Sequence, residues 1–187
     1  MIKSAKAVPA HRLALHLREI GQLFNSMDPT PFLNKALDPE AEAFIETWAS
    51  GYVAGSRFHI TIDLEQWPQD DPTELLAGAI HNHFNYKAKR ARSALRRLMR
   101  DGRTSFVIGL VFVSLCLIAA NVIGRSVSNA GYSIARESLT IVGWVAMWRP
   151  LQIFLYEWWP LNRQIRRYHM LGSAHIQVVR GKLEQRD

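Results

Sequence analysis

Residues 104–124, TSFVIGLVFVSLCLIAANVIG, carry no charged side chain across 21 positions. As an α-helix this stretch spans roughly 31 Å, against about 30 Å for the hydrocarbon core of a bilayer. The competing assignment is a buried core helix, which needs apolar neighbours all round. A chain of 187 residues has little else to surround it with. The stretch therefore predicts a first transmembrane helix.

Residues 138–160, SLTIVGWVAMWRPLQIFLYEWWP, are also apolar but contain Arg149, Pro150 and Glu157. An Arg near the centre of a span costs about 2.5–3.5 kcal/mol, while each Leu, Ile, Val or Phe offsets roughly 0.3–0.6 kcal/mol. The run holds eight such residues. Insertion is therefore near balance and is helped by pairing with the first span. Pro150 leaves two paths open, a full crossing or a dip that turns back.

The flanking charges set an orientation. Residues 85–103, NYKAKRARSALRRLMRDGR, hold eight Lys/Arg against Asp101 alone, whereas 125–137 has only Arg125 and Arg136. Basic residues return in 161–187, six against two acids. The positive-inside rule then predicts a transmembrane hairpin with both termini cytoplasmic and an external loop at 125–137. Tyr156, Trp158 and Trp159 fall at the cytoplasmic interface, with Pro160 ending the second helix. Residues 1–84 are acidic, six Lys/Arg against eleven Asp/Glu. The net charge of +7 thus flanks the apolar runs and is not the basic stripe of a nucleic-acid-binding domain. No nucleic-acid partner is expected. No apolar h-region follows the first lysines, so no cleaved signal peptide is expected. The single Cys116 precludes an intrachain disulfide.

The remaining sequence reads as a small α+β head. RLALHLR (12–18) and RFHITIDLE (57–65) alternate apolar and polar residues, as half-buried strands do. Leu13, Leu17, Ile20 and Phe24 also fit a helical stripe, but the alternation and Gly21 favour a strand. Between the two lies a helix with Asp38 as N-cap, Pro39 at its first position and Ala41, Phe44, Ile45, Trp48 and Tyr52 on its apolar face. Strand, helix, strand implies a parallel pair with a right-handed crossover. Two strands are too few for stability, and AHIQVVRG supplies a third at 175–179. It can join only if both termini share one side, as the charges independently require. The α/β domain is thus 1–84, completed by 174–183. An amphipathic basic helix over 72–102, with Asp71 as N-cap, leads into the first span, and 161–187 forms a cytoplasmic tail. Lys87, Lys89, Arg90, Arg92, Arg96, Arg97, Arg100 and Arg103 are expected at an anionic lipid surface, where each contributes about 1 kcal/mol.

Three groups of residues invite chemistry. Arg149, beside the carbonyl that Pro150 frees, is an intramembrane cation expected near the depth of Ser114. Glu157 lies two turns along, out of reach on a regular helix and available to pair in an oligomer. Asn25, Ser26 and Asp28, in FNSMDPTPF after the first strand, form either a ligand loop or an ordinary Asx turn. His81 and His83, at i and i+2 on a helix, point about 200° apart and cannot chelate together. No metal and no cofactor are expected, and no catalytic motif is present.

The stretches LFNSMDPTPF, LDPEAEAFI and GWVAMWRPLQIFLYEWWP together resemble a family of small bacterial two-span inner-membrane proteins with no established function. That resemblance implies a bacterial inner-membrane location and transfers no activity. Gln152 stands where that family leads one to expect an acid, which weakens a local ion pair of Arg149. The expected role is a non-enzymatic, membrane-anchored interaction or scaffold module, self-associating or docking to a larger partner. Two other readings stand beside it: an oligomeric transport or gating element built on Arg149 and Glu157, and a cytoplasmic ligand sensor using Asn25 and Asp28.

Overall fold

The computed structural model describes residues 9–53, 55–126 and 130–181. The order is β1 (Ala10–Leu17), α1 (Pro39–Ser50), β2 (Arg57–Leu64), α2 (Thr73–Ser126), α3 (Ala130–Gln152), a π-helical turn (Ile153–Glu157), α4 (Trp158–Leu171) and β3 (His175–Arg180). Short 3-10 turns lie between β1 and α1. The chain divides into two compact units, a head formed by residues up to 90 with those from 163, and a helical unit of residues 91–162.

In the head, the three strands form one parallel sheet ordered β1-β2-β3. The expected strands are all present, and the one after the second apolar run pairs with β2. Alternation turns Leu13, Leu15, Phe58, Ile60, Ile62, Leu64, Ile176 and Val178 to one buried face. Ile45 and Ala49 of α1, Leu76, Ile80, Phe84 and Ala88 of α2, and Ile165, Tyr168 and Leu171 of α4 are buried with them. Phe44, expected inside, is 55% exposed. Ala49, which is too small to mark a face in the sequence, is buried in its place.

Caps follow the sequence at α1, where the Asp38 carboxylate accepts from the Glu40 and Ala41 N–H groups. At α2 the helix starts two residues after Asp71, which instead accepts from the Thr73 N–H and hydroxyl at 2.9 and 2.6 Å. Those two bonds hold the Asp71 carboxyl below the usual carboxylate range.

The helical unit departs from the expected boundaries in three ways. First, α2 is one helix through Gly102 to Ser126, with no break between its basic and apolar parts. Second, helix resumes at Ala130, so most of the segment expected as loop 125–137 is helical; its tip at 127–129 lies outside the described residues, as do 1–8 and 182–187. Helical continuation satisfies backbone groups that a loop would leave open. Third, Pro160 does not end the second helix. The helix runs on through it without a break, from the π-helical turn into α4.

Both apolar stretches lie on helices long enough to cross a membrane, and only 17% of each apolar window is buried. A core helix of a soluble protein would be covered. Here Val107, Ile118 and Trp148 are among the large apolar side chains left 58–72% exposed.

Candidate functional site

Each half of the helical unit presents one stripe of small or buried residues. On α2 these are Gly102, Gly109, Cys116 and Ala120; on the other half they are Gly143, Pro150 and Ile153. A side chain at Gly102 would meet Ile153 Cγ2 at 2.8 Å. One at Gly109 would meet Met147 Sδ at 3.0 Å and the Ala146 carbonyl oxygen at 3.2 Å. One at Gly143 would meet Val113 Cα and Cys116 Cβ at 3.7 Å. Residue numbers fall on one side as they rise on the other. Glycine is what lets the backbones approach.

This register moves Arg149. It lies between the Gly102–Ile153 and Gly109–Ala146 contacts, near Phe106, and not beside Ser114. Ser114 lies about eight residues, or roughly 12 Å of helix, further on, and its hydroxyl donates to the Leu110 carbonyl at 2.8 Å. The expected depth assumed a turn centred in 125–137. Helices that continue past those bounds shift the pairing by about two helical turns. The carbonyl freed by Pro150, that of Ala146, lies against Gly109.

Arg149 instead donates to Glu157 Oε1 at 2.5 Å. On a regular helix, residues eight apart are about 80° off one face. The π-helical turn absorbs about one residue of that separation, so the pair behaves like i and i+7 and shares a face. Helical periodicity alone does not show this turn, which is why it leaves Glu157 out of reach. Both side chains remain partly exposed, at 59% and 29%, on the outside of the helix pair.

The loop after β1 is occupied by its own backbone. Asp28 accepts from the Ala36 N–H at 2.7 Å and the Thr30 N–H at 3.0 Å, and Asn25 accepts from the Met27 N–H at 2.9 Å. The Ala36 bond, followed by those of Thr30, holds the Asp28 carboxyl below the usual carboxylate range. Ser26 is exposed. These are Asx turns, which close the loop over Phe24 and Phe32, whose rings lie 4.6 Å apart.

Of the basic segment, Lys89, Arg90, Arg92, Arg96, Arg97, Arg100 and Arg103 are exposed on α2. Arg90 lies 5.9 Å from the Tyr86 ring centroid, and Arg96 donates to Ser93 at 3.2 Å. Lys87 differs from its neighbours, and its expected place at a lipid surface is corrected. Its ammonium sits between Glu42 and Glu46 of α1 and 5.0 Å from the Tyr168 ring centroid of α4. The i,i+4 spacings Glu42/Glu46 and His83/Lys87 were visible in the sequence. That the two pairs face each other was not.

His83 belongs to the same network. Its Nδ1 accepts the Leu37 N–H at 3.4 Å and its Nε2 donates to Glu42 at 3.0 Å, an arrangement that fits the neutral Nε2–H imidazole. Burial pushes its pKa below the ordinary 6.5, despite the opposing charge of Glu46. Unfolding therefore takes up a proton below that value, so this contribution to stability is present above about pH 6.5 and is lost as pH falls through the folded value. Unfolding curves from pH 7.5 to 5 should show the loss in the native chain and not in His83→Gln. Parallel profiles would remove His83 as the source. His81 is turned elsewhere, 2.8 Å from the Ala174 carbonyl.

The second face of the sheet is the largest feature the sequence did not mark as a site. Alternation puts Arg12, Ala14 and His16 of β1, Arg57, His59, Thr61 and Asp63 of β2, and His175, Gln177 and Val179 of β3 on this face. Among the described residues nothing covers it. All-parallel sheets are ordinarily covered on both faces. The outer edges of β1 and β3 are also unpaired among the described residues. Arg57 and Glu65 N–H groups donate to Pro9 and Leu17 carbonyls, so the even-numbered residues of β1 turn their backbone groups to the free edge. The polar alternation in RFHITIDL indicated one solvated face. It did not indicate that the same side would stay open on all three strands.

No protein-family model, curated protein or solved structure matches the chain.

Proposed function

We propose that the chain crosses a bilayer twice and holds its α+β head on the cytoplasmic side, where it works as a non-enzymatic interaction module. The observation that carries the reading is the open sheet, a parallel three-stranded platform with one face uncovered and its edges unpaired among the described residues. Such edges pair readily with another chain unless blocked. Two crossings are supported by connectivity. The chain leaves the head near residue 90 and re-enters it near 163, and β3 pairs with β2, so an even number of passages is required. The eight Lys/Arg of 85–103 support a cytoplasmic head. The Arg149–Glu157 pair supports full insertion of the second helix, because a neutralised pair lowers the cost of a central cation.

Purified in mild detergent, the full chain should carry a stoichiometric companion or a second copy, measured by native mass spectrometry. Ala14→Pro should release it while leaving the fold intact, since residue 14 directs its N–H to the free edge. A strictly monomeric native particle without companions overturns the docking role. In Cys116→Ser, impermeant reagents should reach cysteines at the exposed positions Gln66 and Arg180 from one and the same side. Labelling from opposite sides removes the double crossing.

A further inference from the structure

The uncovered sheet face has a chemical bias at one end. Arg12, His59 and His175 are register partners on three adjacent strands, a row about 10 Å wide. The two imidazole rings meet edge to face with centroids 5.3 Å apart. Arg57 stands one row back on β2. Two hollows, of about 360 and 240 Å³, share His59 and His175. Ser56, Arg57 and Ser173 add to the lining of the first; Arg12, Thr61 and Gln177 add to that of the second.

The polar side chains here are guanidinium, imidazole, amide and hydroxyl, each able to donate. Among the described residues no carboxylate lines either hollow. The acid of this face, Asp63, lies four residues along β2 from His59, about 13 Å away, and is engaged by His16 at 3.0 Å. Among the described residues neither Arg12 nor Arg57 has an acidic partner. An electropositive recess with unpaired guanidinium groups calls for an oxyanion.

We infer that this recess binds a phosphate monoester. A carboxylate presents two oxygens in one plane and would leave donors on part of the row unmet. A phosphate monoester presents three oxygens around a tetrahedral centre with a charge near −2, which suits donors arriving from three strands and from the row behind. The site rests on the reading of the sheet face as the working surface and names the chemistry received there. The ester belongs either to a soluble metabolite or to a lipid headgroup of the phosphatidic acid type.

The test uses the full chain in phosphatidylcholine nanodiscs, with histidine-ring NMR signals and the unfolding midpoint as readouts. Glycerol 3-phosphate should shift the His59 and His175 signals and raise the midpoint; glycerol should do neither, and succinate should act more weakly. Arg12→Gln and His175→Gln should each lower affinity about tenfold, the order expected for loss of one charge-assisted bond. Discs containing phosphatidic acid form the second arm. A response there that soluble ester cannot displace assigns the lipid source, and a response to soluble ester alone assigns the metabolite. Silence with both probes, or an unchanged response in Arg12→Gln, overturns the site. A chain that keeps its companion yet ignores both probes loses the phosphate site and retains the docking role. A monomer without companions that binds the ester retains the site and loses the docking role.

Discussion

Lys87→Met should destabilise the head by about 2–3 kcal/mol, read from urea unfolding of the full chain followed by protease sensitivity. The substitution keeps the stem that packs near Tyr168 but strands the carboxylates of Glu42 and Glu46 against each other. Breaking a fully buried pair by removing one partner costs about 3–5 kcal/mol. These three side chains retain 21–25% exposure, so water recovers part of that cost. The sign of the network is tested by a further step. Adding Glu42→Gln and Glu46→Gln to Lys87→Met should recover most of the loss, because neutral side chains of similar shape need no counter-charge. A loss below about 0.5 kcal/mol in Lys87→Met would mean that the ammonium only decorates a solvated surface.

The second large effect concerns the helical unit. In Gly143→Cys, mild oxidation should join the new thiol to the native Cys116 almost completely, read as loss of both free thiols by alkylation and mass. The Cβ at position 143 would lie 3.7 Å from Cys116 Cβ, inside the roughly 3.5–4.5 Å range of disulfides. Adding Gly109→Leu should abolish most of that cross-link. A side chain there runs into the Ala146 carbonyl, which is backbone and cannot rotate away as Met147 can. Overpacking of this kind costs about 1–3 kcal/mol, enough to separate two helices held mainly by close packing. Efficient cross-linking with Leu at 109 would show that the pairing does not depend on the glycine.

Much of the fold was legible because its signals are local and periodic. Leu13/Leu15 and Phe58/Ile60/Ile62/Leu64 alternate at the period of a strand; Leu76/Ile80/Phe84/Ala88 repeat at that of a helix. Asp38-Pro39 marks a helix start because its cap satisfies N–H groups within three residues. The Gly102, Gly109, Cys116 heptad was readable in principle, since small residues seven apart in an apolar run mark a packing stripe.

The candidate sites were less legible, for a physical reason. Whether Arg149 reaches Glu157 depends on one π-helical turn, a small change in backbone winding that no residue type there announces. Lys87 belongs by charge to a run of eight basic residues and by position to a network with His83, one turn before it, and with Glu42 and Glu46, 45 and 41 residues away in sequence. Arg12, His59 and His175 are 47 and 116 residues apart, and only the strand register brings them into one row.

By itself the sequence determined the solvent each segment prefers. Uncharged runs of membrane length, alternating strands and flanking arginines depend on side chains and their near neighbours, whose transfer energies are set before any long-range contact forms. The tertiary structure alone decided which polar groups meet. Those meetings depend on register, between strands on one side and between apolar helices on the other. A one-residue slip of β2 alone would turn His59 into the core and out of the row with Arg12 and His175, and a shift of about two helical turns moved Arg149 from Ser114 to the level of Phe106.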